Sequence, residues 1–231
     1  ECPANVDMAR MKSEYLQHRW DERGTPIRAR LFGEFPTLTA MASWTSSISS
    51  WAMNLGITKK MLGVHPDRSV PAIAQCTLSQ WARRKGLTII DGRQTKQLSY
   101  PMDVVVFADA FTEFNDPHVG IAAIELLQAM GLTVGVTKGL YSARTHISKG
   151  LLRQAQSHIT KSVSVLAPIA KAGIPIIGLE PSAILTFRDE APDLVSDRNA
   201  ATTVAGATVL LEEFLGDRAL PPLREEPCLF V

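Results

Sequence analysis

The run DVVVFAD, from Asp103 to Asp109, decides the fold class of this chain. Its consecutive β-branched residues are typical of a strand that is buried on both faces, as in a parallel sheet covered by helices. Two similar runs follow, LTVGVT over 132–137 and IPIIGLE over 174–180, with helical stretches between them. Strands that alternate with helices imply right-handed crossovers. We therefore predict an α/β fold with a parallel βαβαβ sheet covered by helices.

The segments that follow these strands carry helix start and stop signals. Asn115 or Asp116 caps a helix after the first strand. Ser148 or a neighbour begins a long helix after the second strand, and Gly173 ends it. A further helix begins directly after the third strand, in PSAILTFRDE, and residues 199–215 predict a last helix.

Before residue 96 the spacing of apolar residues is helical almost throughout. We predict two regions: a helical layer of three or four elements over residues 1–95, and an α/β region over 96–231. In the first region we place Cys76 on the apolar side of a helix, as a core residue. The tryptophans of this region are interpreted in the same way, as packing residues: Trp20, Trp44, Trp51 and Trp81.

Composition indicates a globular protein of the cytoplasm. About 45% of the 231 residues are apolar, and 24 basic residues balance 23 acidic ones to a formal net charge of +1. With charges interspersed in this way, nucleic acid is not an expected partner. The apolar runs are too short for a membrane span, which needs about 20 residues. The three cysteines are widely separated, which argues against a disulfide framework and fits a reducing compartment.

Three loops follow the carboxyl ends of the predicted strands and are expected to meet in one crevice. The loop GLYSARTHISKG contributes cations and hydroxyls just before a helix, whose first N–H groups and dipole favour an anion. We therefore predict a pocket for a small carboxylate or phosphate, in which an inward-facing Glu180 would oppose binding. Its candidate residues are Arg144, His146, Ser148, Lys149, Glu180 and Ser182.

Several long phrases together carry a family resemblance: VDMARMKSEYLQHRWDERGTPIRARLFGE, FADAFTEFNDPHVGIAAIELLQAMG, ISKGLL and GIPIIGLEPSAILTFRDEAPDL. They resemble the iron-sulfur part of FAD-linked oxidases of the D-lactate and D-2-hydroxyglutarate dehydrogenase type. The chain is also similar to the iron-sulfur subunits of glycolate oxidase and anaerobic glycerol-3-phosphate dehydrogenase, and more distantly to heterodisulfide reductase. The resemblance implies an assembly with FAD and 4Fe-4S clusters and, as partner, a flavin-containing oxidase domain or subunit.

The cysteines that this family uses as cluster ligands are largely replaced here. In the family, the opening Glu-Cys-Pro ends a ferredoxin-like cysteine run, of which this chain has only Cys2. The family's Cys-Cys-Gly-Arg-Pro motif falls on residues 141–145, where the two cysteines are Tyr141 and Ser142, and a further family cysteine is Ala183. The resemblance also implies that residues 96–231 are the first half of a cysteine-rich domain, which stops before a second half.

Two functions follow from these observations. The resemblance implies an electron-transfer part of a flavin-linked 2-hydroxy-acid dehydrogenase or oxidase, with degenerate cluster ligands and no catalysis by the chain alone. The residues present favour the alternative, which is a cluster-free scaffold or small-anion-binding module without redox activity of its own, since iron-sulfur clusters require thiolates.

Overall fold

The computed structural model describes residues 7–92, 101–216, 218 and 220. Cys2, Cys228 and the expected boundary between residues 95 and 96 lie outside these described residues. The described helices before the first strand are α1 Met8–Arg23, α2 Ile27–Gly33, α3 Phe35–Ala42, a 3₁₀ turn Ser43–Thr45, α4 Ser46–Met53, α5 Gly56–Leu62 and α6 Leu78–Arg84.

The α/β region follows with shorter elements. In chain order they are β1 Thr88–Asp91, β2 Val104–Phe107, α7 Ala110–Phe114, α8 Pro117–Ala129, β3 Val134–Lys138, α9 Arg144–Ser148, α10 Leu152–Lys171, β4 Ile176–Gly178, α11 Pro181–Ile184, α12 Thr186–Asp189, α13 Ala191–Leu194, α14 Arg198–Ala207, β5 Thr208–Leu210 and α15 Leu211–Leu215.

The five strands form one sheet in the order β1-β3-β2-β4-β5, and every pairing is parallel. The central strand β2 pairs with β3 through Val104 opposite Val134, and with β4 through Val105 opposite Ile176. The three strands expected from the sequence are therefore the three central ones. The predicted α/β class, with a helical layer first and a helix-covered parallel sheet after it, is confirmed.

Strand β2 has apolar residues on both faces, which explains its continuous β-branched run. Val105 and Phe107 belong to a core cluster on one face, together with residues of α10 and α14. Val104 and Val106 point to the other face, where they share a cluster with residues of α6 and α8. Because successive side chains of a strand alternate between faces, burial of all four places β2 in the middle layer of the molecule.

Three sequence expectations differ from the structure. The single helix predicted over residues 199–215 is wrong, because the β-branched segment at Thr208 leaves α14 and pairs with β4 as strand β5. The long helix expected from about Ser148 is broken at Gly150, whose positive φ separates α9 from α10. Cys76 precedes α6 and does not lie on a helix; its Sγ donates to the carbonyl of Thr77.

Two of the four tryptophans are not packing residues. Trp44 is 90% exposed and Trp51 is 67% exposed, on the helical layer. Trp20 is half-buried and donates its Nε1 hydrogen to the carbonyl of Lys149, and Trp81 packs against the sheet. The helical layer is too thin to bury every apolar side chain that it carries. Among the described helices, none is long and apolar enough to cross a membrane.

Candidate functional site

A small crevice lies at the carboxyl ends of β2, β3 and β4. Its volume is about 50 Å³. The three loops that follow these strands contribute to it, as the topology predicted. Among its lining residues are Asp109, Tyr141, Ser142, Arg144, Glu180, Ser182 and Ala183. The structure therefore brings together the three positions where the resembling family has cysteines.

The loop between β3 and α9 is held rigidly on the long helix α10. Ser162 is buried, accepts a hydrogen bond from the backbone N–H of Tyr141 and donates one to its carbonyl. Ser142 is buried, and Ala143 adopts a left-handed backbone with φ of 57°. A non-glycine residue in this conformation is strained, and such strain persists only where the surroundings fix it. The chain thus keeps a strained turn at its crevice.

Carboxylates dominate the charge inside the crevice. Asp109 is 4% exposed and accepts hydrogen bonds from the Thr112 hydroxyl at 2.5 Å and from two backbone N–H groups. Burial raises the pKa of Asp109, and the nearby charge of Glu180 raises it further. Glu180 accepts from the backbone N–H and the hydroxyl of Ser182, so it caps α11. Both acids have structural roles, and both disfavour an anion.

The cations of the same loop point to different surroundings. The Nη1 of Arg144 lies 2.6 Å from Oε1 of Glu190. The Nζ of Lys149 lies 5.3 Å from the centre of the Phe32 ring. Neither Lys149 nor Ser148 lines the crevice; Ser148 is exposed and donates its hydroxyl hydrogen to the carbonyl of Thr145. Of the predicted anion residues, the structure brings Arg144, Glu180 and Ser182 together.

His146 is buried in a cluster that the sequence did not predict. Its side chain is 1% exposed, and its Nε2 lies 3.2 Å from Oε1 of Glu34, between α2 and α3. The centre of its ring lies 4.8 Å from that of His158 on α10. Glu34 is 112 residues away along the chain, so no local pattern could have identified this contact. We name Glu34, His146 and His158 the histidine cluster.

Known proteins provide a further comparison. Over 196 residues, which are 82% of this chain, it is 22% identical to the D-2-hydroxyglutarate dehydrogenase of Escherichia coli K12. The identity to the enzyme of the same name from Pantoea ananatis is 20% over 94% of the chain. Most of this chain is similar to D-2-hydroxyglutarate dehydrogenase. A shorter part, 60%, is 26% identical to a subunit of the anaerobic glycerol-3-phosphate dehydrogenase of Escherichia coli K12.

This similarity is confined to a part of each relative. The chain spans about a fifth of the two D-2-hydroxyglutarate dehydrogenases, with 19% and 22% of their length, and 33% of the glycerol-3-phosphate dehydrogenase subunit. No protein-family model matches the chain, and no solved structure matches it significantly. The predicted resemblance to these dehydrogenases is confirmed, at low identity and as a relation between this chain and one portion of each.

Proposed function

We propose that this chain is a cluster-free module of a flavin-linked oxidoreductase of the 2-hydroxy-acid dehydrogenase type. One observation carries the proposal: the crevice at the strand ends brings together Tyr141, Ser142 and Ala183, at positions where the resembling family has thiolates. The similarity to D-2-hydroxyglutarate dehydrogenases over most of the chain supports the assembly. In that assembly FAD belongs to the partner, and this chain supplies a folded surface. Its cytoplasmic location stays a prediction.

The donor atoms of the crevice do not fit an iron-sulfur cluster. Such clusters are held by thiolates, and the crevice presents a phenol, a hydroxyl and a methyl group instead. Cys76, the one cysteine within the described residues, lies outside the crevice at the start of α6. A volume of about 50 Å³ is on the scale of one or two water molecules, each of which occupies about 30 Å³ in the liquid. We therefore assign no electron-transfer step to this site.

The small-anion pocket stays a prediction that the geometry disfavours. Arg144 is already paired with Glu190, and Asp109 and Glu180 place negative charge inside the crevice. Helix α9 has only five residues, so it offers a weaker dipole at its amino end than the long helix expected from the sequence. These contacts favour a cluster-free scaffold over both an electron-transfer part and an anion-binding module.

A surface for the flavin-containing partner is available on the helical layer. Four large apolar side chains are exposed there: Met41, Trp44, Trp51 and Ile57, with 70, 90, 67 and 72% exposure. We name these residues the tryptophan face. Contiguous exposed apolar surface of this kind marks protein interaction sites. A flavin-containing part of the relatives is the proposed occupant, because about four-fifths of the length of the D-2-hydroxyglutarate dehydrogenases lies outside the matched portion.

The assembly is tested by co-expression of this chain with the flavin-containing oxidase polypeptide of the same organism. We expect the two to co-elute in size-exclusion chromatography, with FAD absorbance in the common peak. Trp44→Ser combined with Trp51→Ser should abolish co-elution without loss of fold, because both side chains are exposed. Val119→Ser, at an apolar residue of α8 that is 46% exposed, is the matched control and should leave the complex intact. Separate elution of the wild-type proteins contradicts the proposal.

The absence of a cluster is tested by anaerobic reconstitution with iron and sulfide. We expect substoichiometric iron and acid-labile sulfide in the wild-type chain, because its crevice has no thiolate. The variant Tyr141→Cys, Ser142→Cys, Ala183→Cys places three thiols in the same crevice and should retain more of both. Stoichiometric iron and sulfide in the wild type would show that the chain carries a cluster after all.

A further inference from the structure

The histidine cluster has the composition of a metal site. One donor atom from each of Glu34, His146 and His158 can be chosen so that all lie within 4.8 Å of one another. In a tetrahedral site with bonds of about 2.0–2.2 Å, ligand atoms lie about 3.4 Å apart. The cluster is therefore close to this spacing, and rotations of partly exposed side chains are sufficient to reach it.

His146 has bonding capacity that its surroundings do not use. It is 1% exposed, and within the described part of the chain its Nδ1 has no hydrogen-bond partner. A buried polar atom without a partner is costly, so such atoms are rare in folded proteins. A histidine that binds a metal uses one ring nitrogen for the metal and the other for a hydrogen bond. The ring of His146 therefore has room for one bond more than it makes.

The packing around Glu34 holds its carboxylate in place independently of any ion. The hydroxyl of Thr145 donates to the carbonyl of Gly33 at 2.7 Å, which fixes the α2–α3 junction against α9. Gly33 also lies against Leu151, so closely that an added Cβ would stand 2.4 Å from its Cδ1. Preorganised ligands of this kind lose little freedom on binding. Glu34 and His158 are only partly buried, which leaves a path for an ion to enter.

We propose that Glu34, His146 and His158 form a binding site for one divalent transition-metal ion of the Zn²⁺ class. Two imidazoles and a carboxylate are a donor set that Zn²⁺ accepts, with a fourth position left for water or another ligand. Burial lowers the pKa of His158, and the neighbouring His146 lowers it further, which favours the neutral imidazole that binds metals. The ion would join the helical layer to α9 and α10. This site does not depend on the proposed function.

A simple ion pair is the competing explanation. An ion pair accounts for Glu34 and a protonated His146, but it gives no role to His158, whose ring lies against that of His146. Two adjacent imidazoles disfavour each other's protonation, since like charges repel. Metal binding uses all three side chains in their deprotonated forms. The two explanations differ in what happens when His158 alone is changed.

The test is equilibrium dialysis of the tag-free, chelator-treated chain against Zn²⁺ at neutral pH, with metal analysis. We expect one Zn²⁺ per chain. Glu34→Gln and His158→Gln should each weaken binding by at least about tenfold, the lower end of what loss of even an outer-sphere partner costs. His118→Gln is the matched control, because His118 is exposed on α8, and it should leave binding unchanged.

Co²⁺ provides a readout that does not depend on any variant. In a site with two imidazoles and a carboxylate, Co²⁺ should give the intense visible absorption of tetrahedral coordination in the wild type and in His118→Gln. A failure to bind Zn²⁺, or the weak absorption of octahedral Co²⁺, would overturn the proposal. Binding that persists undiminished in His158→Gln would overturn it equally, in favour of the ion pair.

Discussion

At the residue scale, Glu113 shows how one buried carboxylate joins two helices. It is 6% exposed on α7 and accepts hydrogen bonds from the backbone N–H of Ser79 at 3.0 Å and from its hydroxyl at 2.5 Å. Ser79 lies in the first turn of α6, where N–H groups have no partner within the helix. The carboxylate therefore satisfies a helix end from 34 residues away.

The ionisation of Glu113 gives stability a predictable pH dependence. Burial raises the pKa of Glu113 above its ordinary value of 4.5, against the opposing effect of its hydrogen bonds with Ser79. The folded state thus holds this proton more tightly than the unfolded state does. The associated stability is present below pH 4.5 and is lost as pH rises through the folded pKa.

We therefore expect Glu113→Gln to compare better with wild type at neutral pH than at acidic pH. Glutamine keeps the shape and can still accept from Ser79, so at acidic pH the two proteins should differ by no more than about 1 kcal/mol. Urea unfolding of both proteins across the acidic-to-neutral range measures the difference. Glu125→Gln, at an exposed position of α8, should show no such trend. A constant difference for Glu113→Gln would rule out burial as the cause.

The candidate site could be located from the sequence but not assembled from it. Topology placed Asp109, Tyr141 and Glu180 at one edge of the sheet, and they do line one crevice. By contrast, Arg144 and Lys149 are neighbours in sequence, but they lie at opposite ends of a short helix and find different partners. Partners that lie far along the chain, such as Glu34 for His146, leave no periodic signal.

At the element scale, the predictable strands are those with a strong local pattern. Continuous β-branched runs identify β2, β3 and β4, because burial on both faces demands them. Strands β1 and β5 were missed, since both lie at the edges of the sheet, where half-buried residues are mixed with polar ones. The start of α10 was missed for another reason: Gln17 of α1 accepts hydrogen bonds from the first N–H groups of α10, at Leu152 and Arg153.

The crossing of α1 over the α9–α10 turn depends on Gly150. Its φ is +68°, and an added Cβ would lie 2.3 Å from Cβ of Leu16 and 3.0 Å from the carbonyl oxygen of Ser13. Gly150→Ala should therefore lose stability in two ways. The left-handed backbone costs about 1–2 kcal/mol, and the forced separation of α1 costs about 1–3 kcal/mol more.

Gly173→Ala separates these two contributions. Gly173 has a similar φ of +77°, but nothing lies within 4 Å of its added Cβ. We expect it to lose only the backbone contribution, about 1–2 kcal/mol. Denaturant unfolding of both variants gives the comparison. Equal losses would mean that α1 yields to the new methyl group without cost.

At the scale of the whole molecule, the apolar core is concentrated around the sheet. Every buried residue of the two core clusters lies at or after Leu78. Helix α1 buries only Ser13, and α3 buries only Pro36 and Thr39. The helical layer is held by polar contacts such as those of Trp20 and Gln17, together with ring contacts such as Phe35 on Phe111. Its apolar tryptophan face remains on the outside.

This distribution predicts unequal protection of backbone amides. Few buried apolar contacts and exposed backbone hydrogen bonds favour local opening, whereas central strands open only when the whole domain unfolds. We expect amides of α4 and α5 to exchange with deuterium through local opening, at rates insensitive to low denaturant. Amides of β2 and β3 should exchange only through global unfolding, so their rates should follow the denaturant dependence of stability. Hydrogen-exchange mass spectrometry measures both sets in one sample. The double variant Trp44→Ser, Trp51→Ser should leave strand protection unchanged, because neither side chain contributes to the sheet core. If α4 and β2 are protected equally, the helical layer is part of one cooperative unit, and its exposed tryptophans need another explanation than a weakly held docking layer.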